Sequence, residues 1–211
     1  LMAHHLDDQI ETVLFRLIRG AGAQGLAGIP AQRQLGSGRL LRPLLQYGRA
    51  ELAAYAAMHQ LAWQEDESNS DQQHDRNYLR HQVLPQIEKR WPDYRQSWRK
   101  SLALLSENDD LQKQLGAIDL RDATTEMGGI SVAVMQSLGS ARQRNLLRCW
   151  LQQLGVRDPG WNTLHQFVSE FIPGVSRGSK FALESCDVYQ HQAQLFAVQP
   201  LPEPGLEAQT L

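Results

Sequence analysis

The sequence predicts an α/β protein. A partial, Rossmann-like open-sheet domain, cut off on its N-terminal side, is joined by a long helix to a small α+β, mostly helical unit. Three observations carry this expectation. A short apolar stretch, Met2-Ala3, runs into a cluster of imidazoles and carboxylates and then into an amphipathic helix; open α/β sheets place their ligands at such strand ends. A segment from Asp93 to about Leu115 reads as one long helix. Beyond it, strand-like and helix-like patterns are mixed rather than strictly alternating.

Met2 and Ala3 read as the last residues of a buried strand. Ile10, Val13, Leu14, Leu17 and Ile18 fall at i, i+3, i+4, i+7 and i+8, the stripe of a helix with one buried face. Gly20 is its stop, because a residue without a side chain closes the turn in a left-handed conformation without steric cost. Gly20 to Pro30 is a glycine-rich loop whose spacing fits neither a Walker loop nor a dinucleotide fingerprint. A flexible connection is the plain reading of it. Leu40 to Leu45 reads as a short strand, with Pro43 marking an edge. Arg49 to His59 is alanine-rich and helical by propensity, with His59 on the surface. Glu65 to Asp75 is a polar, acidic loop. Asp75 then stands where a helix cap belongs. Leu79, Val83 and Ile87 form the buried edge of that helix, and Arg76 and Arg80 lie one turn apart on another face. Pro85 should kink or end it.

Trp91-Pro92 marks a boundary, so the first domain is expected to span 1–92 and the second 93–200, with 201–211 a tail or linker. The long helix carries a loose stripe of Trp98, Leu102, Leu105 and Leu111 and bridges the two. Ile130 to Val134 alternates like a strand. Ser140 is the expected cap of a helix with an apolar edge of Leu147, Trp150, Leu151 and Leu154, ending at Gly155. Leu164, Phe167, Val168 and Phe171 mark another helix, stopped by Pro173-Gly174. Phe181 to Leu183 and Leu195 to Val198 read as a closing pair of strands.

Composition narrows the function classes. The chain has 211 residues, 42% of them apolar, and no apolar run approaches the eighteen needed to span a membrane. No signal peptide is visible, and Cys149 and Cys186 form no CxxC pair, so a disulfide framework or zinc site is not suggested. A cytoplasmic location is the default for such cysteine usage. The net charge of −2 gives no support to nucleic-acid binding. Its distribution is less neutral: Arg76 to Lys100 and Gly139 to Arg157 are basic segments, compatible with phosphate tracking and equally with a solvated helix surface.

The chemistry-bearing residues crowd the start. His4, His5, Asp7, Asp8, Glu11 and Thr12 lie within nine positions. Asp7 and Glu11 share one helix face, while Asp8, Thr12 and Arg19 share an adjoining row. Carboxylates at a helix start are also favoured by the macrodipole, which is the bland alternative.

His4-His5-x-x-Asp8-x-x-Glu11-Thr12 resembles the second motif of the PP-loop ATP pyrophosphatases that act on tRNA. With Arg19-Gly20-Ala21-Gly22 and Gly25-Leu26 it is similar to the form found in the tRNA(Ile)-lysidine synthetase family. Trp63 to Asn69, Arg76-Asn77-Tyr78-Leu79-Arg80 and Val83-Leu84-Pro85 follow in that family's order. Ala141 to Arg148 resembles its substrate-binding domain. The family's Ser-Gly-Gly-x-Asp-Ser phosphate loop is not found in this sequence, so the resemblance implies a fragment lacking that loop and the last C-terminal domain.

The resemblance implies ligation of lysine to C2 of the wobble cytidine of tRNA(Ile) with a CAU anticodon, through an adenylated base, using ATP and Mg2+. The fragment alone is expected to be inactive, and a homodimer is left open. By the same resemblance Asp7, Asp8, Glu11 and Arg19 are candidate catalytic residues. Their roles, and any metal ligands, stay open among metal, lysine-ammonium and proton handling. His4, His5 and Thr12 are candidates for the nucleotide, and Arg76, Asn77, Arg80, Arg142, Arg144 and Arg148 for RNA. The alternatives are a thiolation-type enzyme of the same superfamily, which usually carries cysteine pairs, a metal-dependent hydrolase built on His4-His5-x-Asp7-Asp8, and a non-catalytic RNA-binding module.

Overall fold

The structure, a computed structural model, describes residues 1–63 and 75–199. The chain divides into two compact units, Leu1–Asp110 and Leu111–Leu211. The division falls inside the long helix rather than at Trp91-Pro92. The expected acidic loop, apart from Asp75, and the 201–211 tail lie outside the described residues.

In the first unit, helix α1 (Leu6–Ile18) opens on His5 and is followed by α2 (Ala23–Leu26), strands β1 (Gln32–Leu35) and β2 (Gly38–Leu41), and α3 (Arg49–Met58). Met2 and Ala3 are exposed and lie in no strand; Met2 N–H donates to the Leu41 carbonyl at 2.9 Å. Two apolar residues are too few to show a period, and the strand expectation fails there. The α1 stripe is also only half correct. Leu6 and Ile10 are buried and Leu14 packs beside them, whereas Leu17 and Ile18 are 58% and 66% exposed. The apolar partners, Leu84 and Tyr94 with Trp98 and Leu102, do not cover the last turn. Gly20, at φ +74°, ends α1 as expected: Gly20 N–H bonds Leu17 O and Ala21 N–H bonds Arg16 O, a paired closure that needs the left-handed residue.

The glycine-rich segment holds α2 and is tied down. Gln9 receives the Ile29 N–H at 2.6 Å and donates to Ile29 O at 2.8 Å, and Arg16 donates to Gly25 O and Gly28 O at 2.8 and 2.9 Å. β1 was not foreseen. It pairs antiparallel with β2, from Gln32 with Leu41 to Leu35 with Gly38, and β2 ends before Pro43, which has no N–H to offer a ladder. These two strands form the described sheet of this unit, and it is antiparallel. α3 forms as propensity predicts, with His59 exposed.

Asp75 lies in the first turn of α4 (Asp75–Tyr78). A wider π-helical turn, Leu79–Val83, leads into α5 (Leu84–Arg90), with Pro85 in its first turn. Pro85 does not end the helix, which continues to Arg90. Leu79 and Leu84 are buried, with Ile87 partly so.

Helix α6 runs from Tyr94 to Ala123, eight residues beyond the expected end, and Leu111 is 63% exposed. In the second unit β3 is only Ile130–Ser131. Ser131 then caps α7 (Val132–Ser137) by accepting the Val134 N–H, so the alternating run expected as a strand is mostly helix. α8 (Ser140–Gln153) is capped by Gly139, without a side-chain bond, and not by Ser140. It buries Leu146, Leu147, Trp150 and Leu151, leaves Leu154 42% exposed, and ends at Gly155 (φ +72°). α9 (Gly160–Gln166) continues through a π turn, Phe167–Phe171, into α10 (Ile172–Gly174).

The closing strands are β4 (Lys180–Ala182), β5 (Asp187–His191) and β6 (Gln194–Val198). The two expected strands do not pair with each other. β5, which sequence reading passed over because Asp-Val-Tyr-Gln-His is mostly polar, lies between them in the antiparallel order β3-β6-β5-β4. Among the described residues no helix is long and apolar enough to cross a membrane.

Candidate active site at the start of the first helix

The local sequence builds the site by capping. His5 Nδ1 accepts the Asp8 N–H at 3.4 Å, and the Asp8 carboxylate accepts the His5 N–H at 2.9 Å, a reciprocal box at the start of α1. This fixes Asp8 beside the chain while Asp7 and Glu11 project from the neighbouring face.

Two arginines from distant segments meet them. Arg80, on the π turn, grips Glu11 with Nε to Oε1 at 2.6 Å and Nη2 to Oε2 at 2.8 Å, and reaches Asp8 Oδ1 at 3.4 Å. Glu11 is 3% exposed, so a bidentate cation is the partner its burial requires. The Glu11 bond, against some burial, holds Arg80 above its ordinary pKa, with help from Asp8 and Asp7. Arg95, in the first turn of α6, donates Nε–H to Asp7 Oδ1 at 2.8 Å and Nη1–H to Glu88 Oε1 at 2.5 Å. Asp7 Oδ2 also accepts the backbone N–H of Arg49 at 2.7 Å, capping α3 from α1. Partial burial alone would raise the Asp7 pKa, but the Arg49 N–H and the Arg95 guanidinium together lower it. Tyr94 is buried, its hydroxyl has no hydrogen-bond partner among the described residues, and burial pushes its pKa up.

These groups line one open cleft of about 780 Å³ that includes His5, Asp7, Glu11, Arg80, Glu88, Tyr94 and Arg95. Around Arg80 two carboxylates share one guanidinium, which leaves local negative charge suited to an ammonium group.

The structure brings together His5, Asp7, Asp8, Glu11 and Arg80. His4 sits alongside and accepts a bond from Arg42 Nε at 3.2 Å. Thr12 is 1% exposed, and its hydroxyl has no hydrogen-bond partner among the described residues. Arg19 is not brought in. It follows the last turn of α1, about 16 Å along the axis from Asp8, with its guanidinium over the Phe15 ring at 5.3 Å.

Of the RNA candidates, Arg76 is exposed and close enough to Arg16 that it, after burial, lowers the Arg16 pKa. Asn77 is half-buried on the same short helix. In the second unit Arg142 pairs with the buried Asp119, Nε to Oδ2 at 3.1 Å, and Arg148 with Asp158 at 3.0 Å. Arg144 has no ion-pair partner among the described residues. Sequence reading missed Arg42, Arg49 and Arg95. Arg95 had a weak signal, since an arginine just after Trp91-Pro92 opens the long helix; Arg42 and Arg49 had none.

Residues 1–87 match the family model of a PP-loop domain, and residues 130–196 that of the TilS substrate binding domain. The tRNA(Ile)-lysidine synthase of Pseudomonas aeruginosa is 47% identical over 180 residues, which is 78% of this chain and 40% of that protein. The Pseudomonas fluorescens protein of that name is 48% identical over 161 residues, 73% of this chain and 36% of its own length. That of Vibrio cholerae is 37% identical over 201 residues, 95% and 46% respectively. The chain spans about two fifths of the length of the curated relatives it matches.

Proposed function

This chain belongs to the tRNA(Ile)-lysidine synthase family, and on that premise we propose that the protein carrying it ligates lysine to the wobble cytidine of tRNA(Ile) with a CAU anticodon. ATP adenylates the oxygen on C2 and releases pyrophosphate. The lysine ε-amine then forms a bond to C2, AMP leaves with that oxygen, and the amine proton passes to a base. In this reading residues 1–92 are the nucleotide-binding part and 93–200 the tRNA-binding part. The ligase reaction belongs to the whole protein, and this chain alone does not catalyse it.

The observation that carries the reading is the buried Glu11 carboxylate locked by Arg80 beside Asp8, on the wall of a cleft. Asp8 and Glu11 attract the lysine ammonium and take up its proton, and Arg80 sets where their charge sits. Arg80 thereby serves this site rather than the RNA backbone. Asp7, engaged by Arg95 and Arg49, positions α3 and α6 around the cleft. His4 and His5 contact the nucleotide, whereas Thr12, at 1% exposure, is enclosed and does not reach it. Arg19, at the far end of α1, meets phosphate or base. Arg76, Asn77 and Arg144 contact the tRNA, with Arg142 and Arg148 holding the second-unit helix that presents Arg144.

Mg2+ accompanies the triphosphate as part of the substrate. Asp7, Asp8 and Glu11 are each engaged by a guanidinium, and among the described residues no three His, Cys, Asp or Glu side chains converge as ligands. No protein-held ion is assigned. A thiolation chemistry is disfavoured by Cys149 and Cys186, both in the second unit, whose thiols are pushed up by burial.

The test is incorporation of labelled lysine into a CAU-anticodon tRNA(Ile) transcript by the protein containing this chain. ATP-dependent incorporation with release of pyrophosphate is expected. Incorporation of sulfur instead, or of nothing, would overturn the assignment.

A further inference from the structure

The two adjacent imidazoles are held in different ways. Arg42 is 7% exposed, and its guanidinium is fixed by Nη1–H to the Pro30 carbonyl at 2.8 Å. Its own N–H bonds Ala31 O at 2.8 Å. Among the described residues no carboxylate pairs with it. Its Nε–H is donated to His4 Nδ1 at 3.2 Å. A guanidinium keeps its protons and cannot accept a hydrogen bond, so Nδ1 of His4 must supply the lone pair. The one ring proton of a neutral imidazole then sits on Nε2. That nitrogen has no partner among the described residues, and His4 is half-buried.

His5 is not so constrained. Its Nδ1 accepts the Asp8 N–H at 3.4 Å, yet it also lies 3.5 Å from Asp8 Oδ2 and 3.8 Å from Asp7 Oδ2. A proton on His5 Nδ1 would find acceptors at once. A proton on His4 Nδ1 would face a guanidinium.

We propose that Arg42 is a positioning residue that holds His4 as the Nε2–H tautomer, so that His4 meets ATP as a hydrogen-bond donor and not as a proton-accepting base. This rests on the reading that the amino end of α1 faces the nucleotide. A buried arginine is used because it holds its charge without an acid nearby and because its planar fork reaches the carbonyl and the ring together.

The tautomer is read directly from long-range proton–nitrogen spectra of the labelled protein, with His4 assigned by loss of its signals in His4→Gln. The expected pattern is a pyridine-like Nδ1 and a pyrrole-like Nε2, kept in Arg42→Lys and mixed in Arg42→Met. A pyrrole-like Nδ1 in the wild-type protein overturns the proposal whether or not any variant folds. An unchanged pattern in a folded Arg42→Met overturns it as well. For the donor role, calorimetric titration with ATP should show Arg42→Met binding about tenfold more weakly, the loss of one oriented hydrogen bond, with Arg42→Lys restoring most of the affinity. Equal affinity in Arg42→Met, or no ATP binding by the wild type, defeats that role. Tight ATP binding without lysine transfer would instead sink the ligase reading and leave this one standing.

Discussion

The interiors of the two units are built by different means. In the second, seventeen buried apolar residues form one cluster among the described residues, and Leu146, Leu147, Leu164 and Phe167 in it are fully enclosed. In the first, the corresponding cluster has four members among the described residues, Leu6, Ile10, Leu84 and Tyr94. Directly beside it stand the Glu11–Arg80 and Asp7–Arg95 ion pairs. Apolar packing gives stability but aims no side chain at a ligand. Buried ion pairs give little net stability and much direction, because each carboxylate must face its guanidinium. Among the described residues, the unit that carries the cleft thus leans more on direction, and the second unit, its Arg142–Asp119 pair aside, on volume.

The largest effect expected under this contrast is in the second unit. Phe167→Ala should cost about 3–5 kcal/mol of its unfolding free energy, seen as an early denaturant transition in a protein whose ATP binding persists. Loss of both together would dissolve the contrast. Next comes Arg80→Leu, which strands Glu11 at 3% exposure and should cost about 3 kcal/mol as well as lysine transfer. Adding Glu11→Leu should return the denaturation midpoint to the wild-type range, since both charges are then gone, while transfer stays lost. A double variant that regains transfer would show that the pair is mere scaffolding.

Gly116 sharpens the other side. A methyl group there would run into the Cys149 sulfur and the Asn145 amide, where α6 and α8 of the second unit touch. Gly116→Ala should therefore destabilise by about 2 kcal/mol despite alanine's better helix propensity. Combination with Cys149→Gly should recover part of that loss in a thermal melt.

Asp7 gives a smaller, pH-dependent signature. Its folded pKa lies below the ordinary aspartate value, so its contribution is fully present above about pH 4 and fades as pH falls through the folded pKa. The gap in unfolding midpoint between wild type and Asp7→Asn should stay level from neutrality to about pH 5 and close below about pH 4; a gap that widens on acidification contradicts the Arg95 and Arg49 contacts. Least of all, Ile18→Gln should change stability by under about 0.5 kcal/mol, because Ile18 is 66% exposed. The full apolar stripe read from sequence would instead demand about 1.5–3 kcal/mol.

How far the sequence could be read depended on the range of the interaction. α1, α3 and α8 were legible with their glycine stops at Gly20 and Gly155, because caps and helical period act over a few residues. The short β1 and β5 were not, since a polar strand such as Asp187–His191 is made by the neighbours it pairs with. The run at Val132 was misread because the Ser131 cap competed with alternation and won. At the site, His5, Asp7, Asp8 and Glu11 were legible as a cluster within one helical turn or two. Arg42 and Arg95 were not, being 38 and 88 positions from the residues they hold.

By itself, then, the order of amino acids determined the family, the helix that carries the carboxylates and the chemical types gathered at its start, because all three are written in local spacing. Only the tertiary structure decided which carboxylate is buried, which arginine answers it and which ring nitrogen of His4 faces a guanidinium. Burial and charge pairing depend on distance in space, and chain spacing does not encode it.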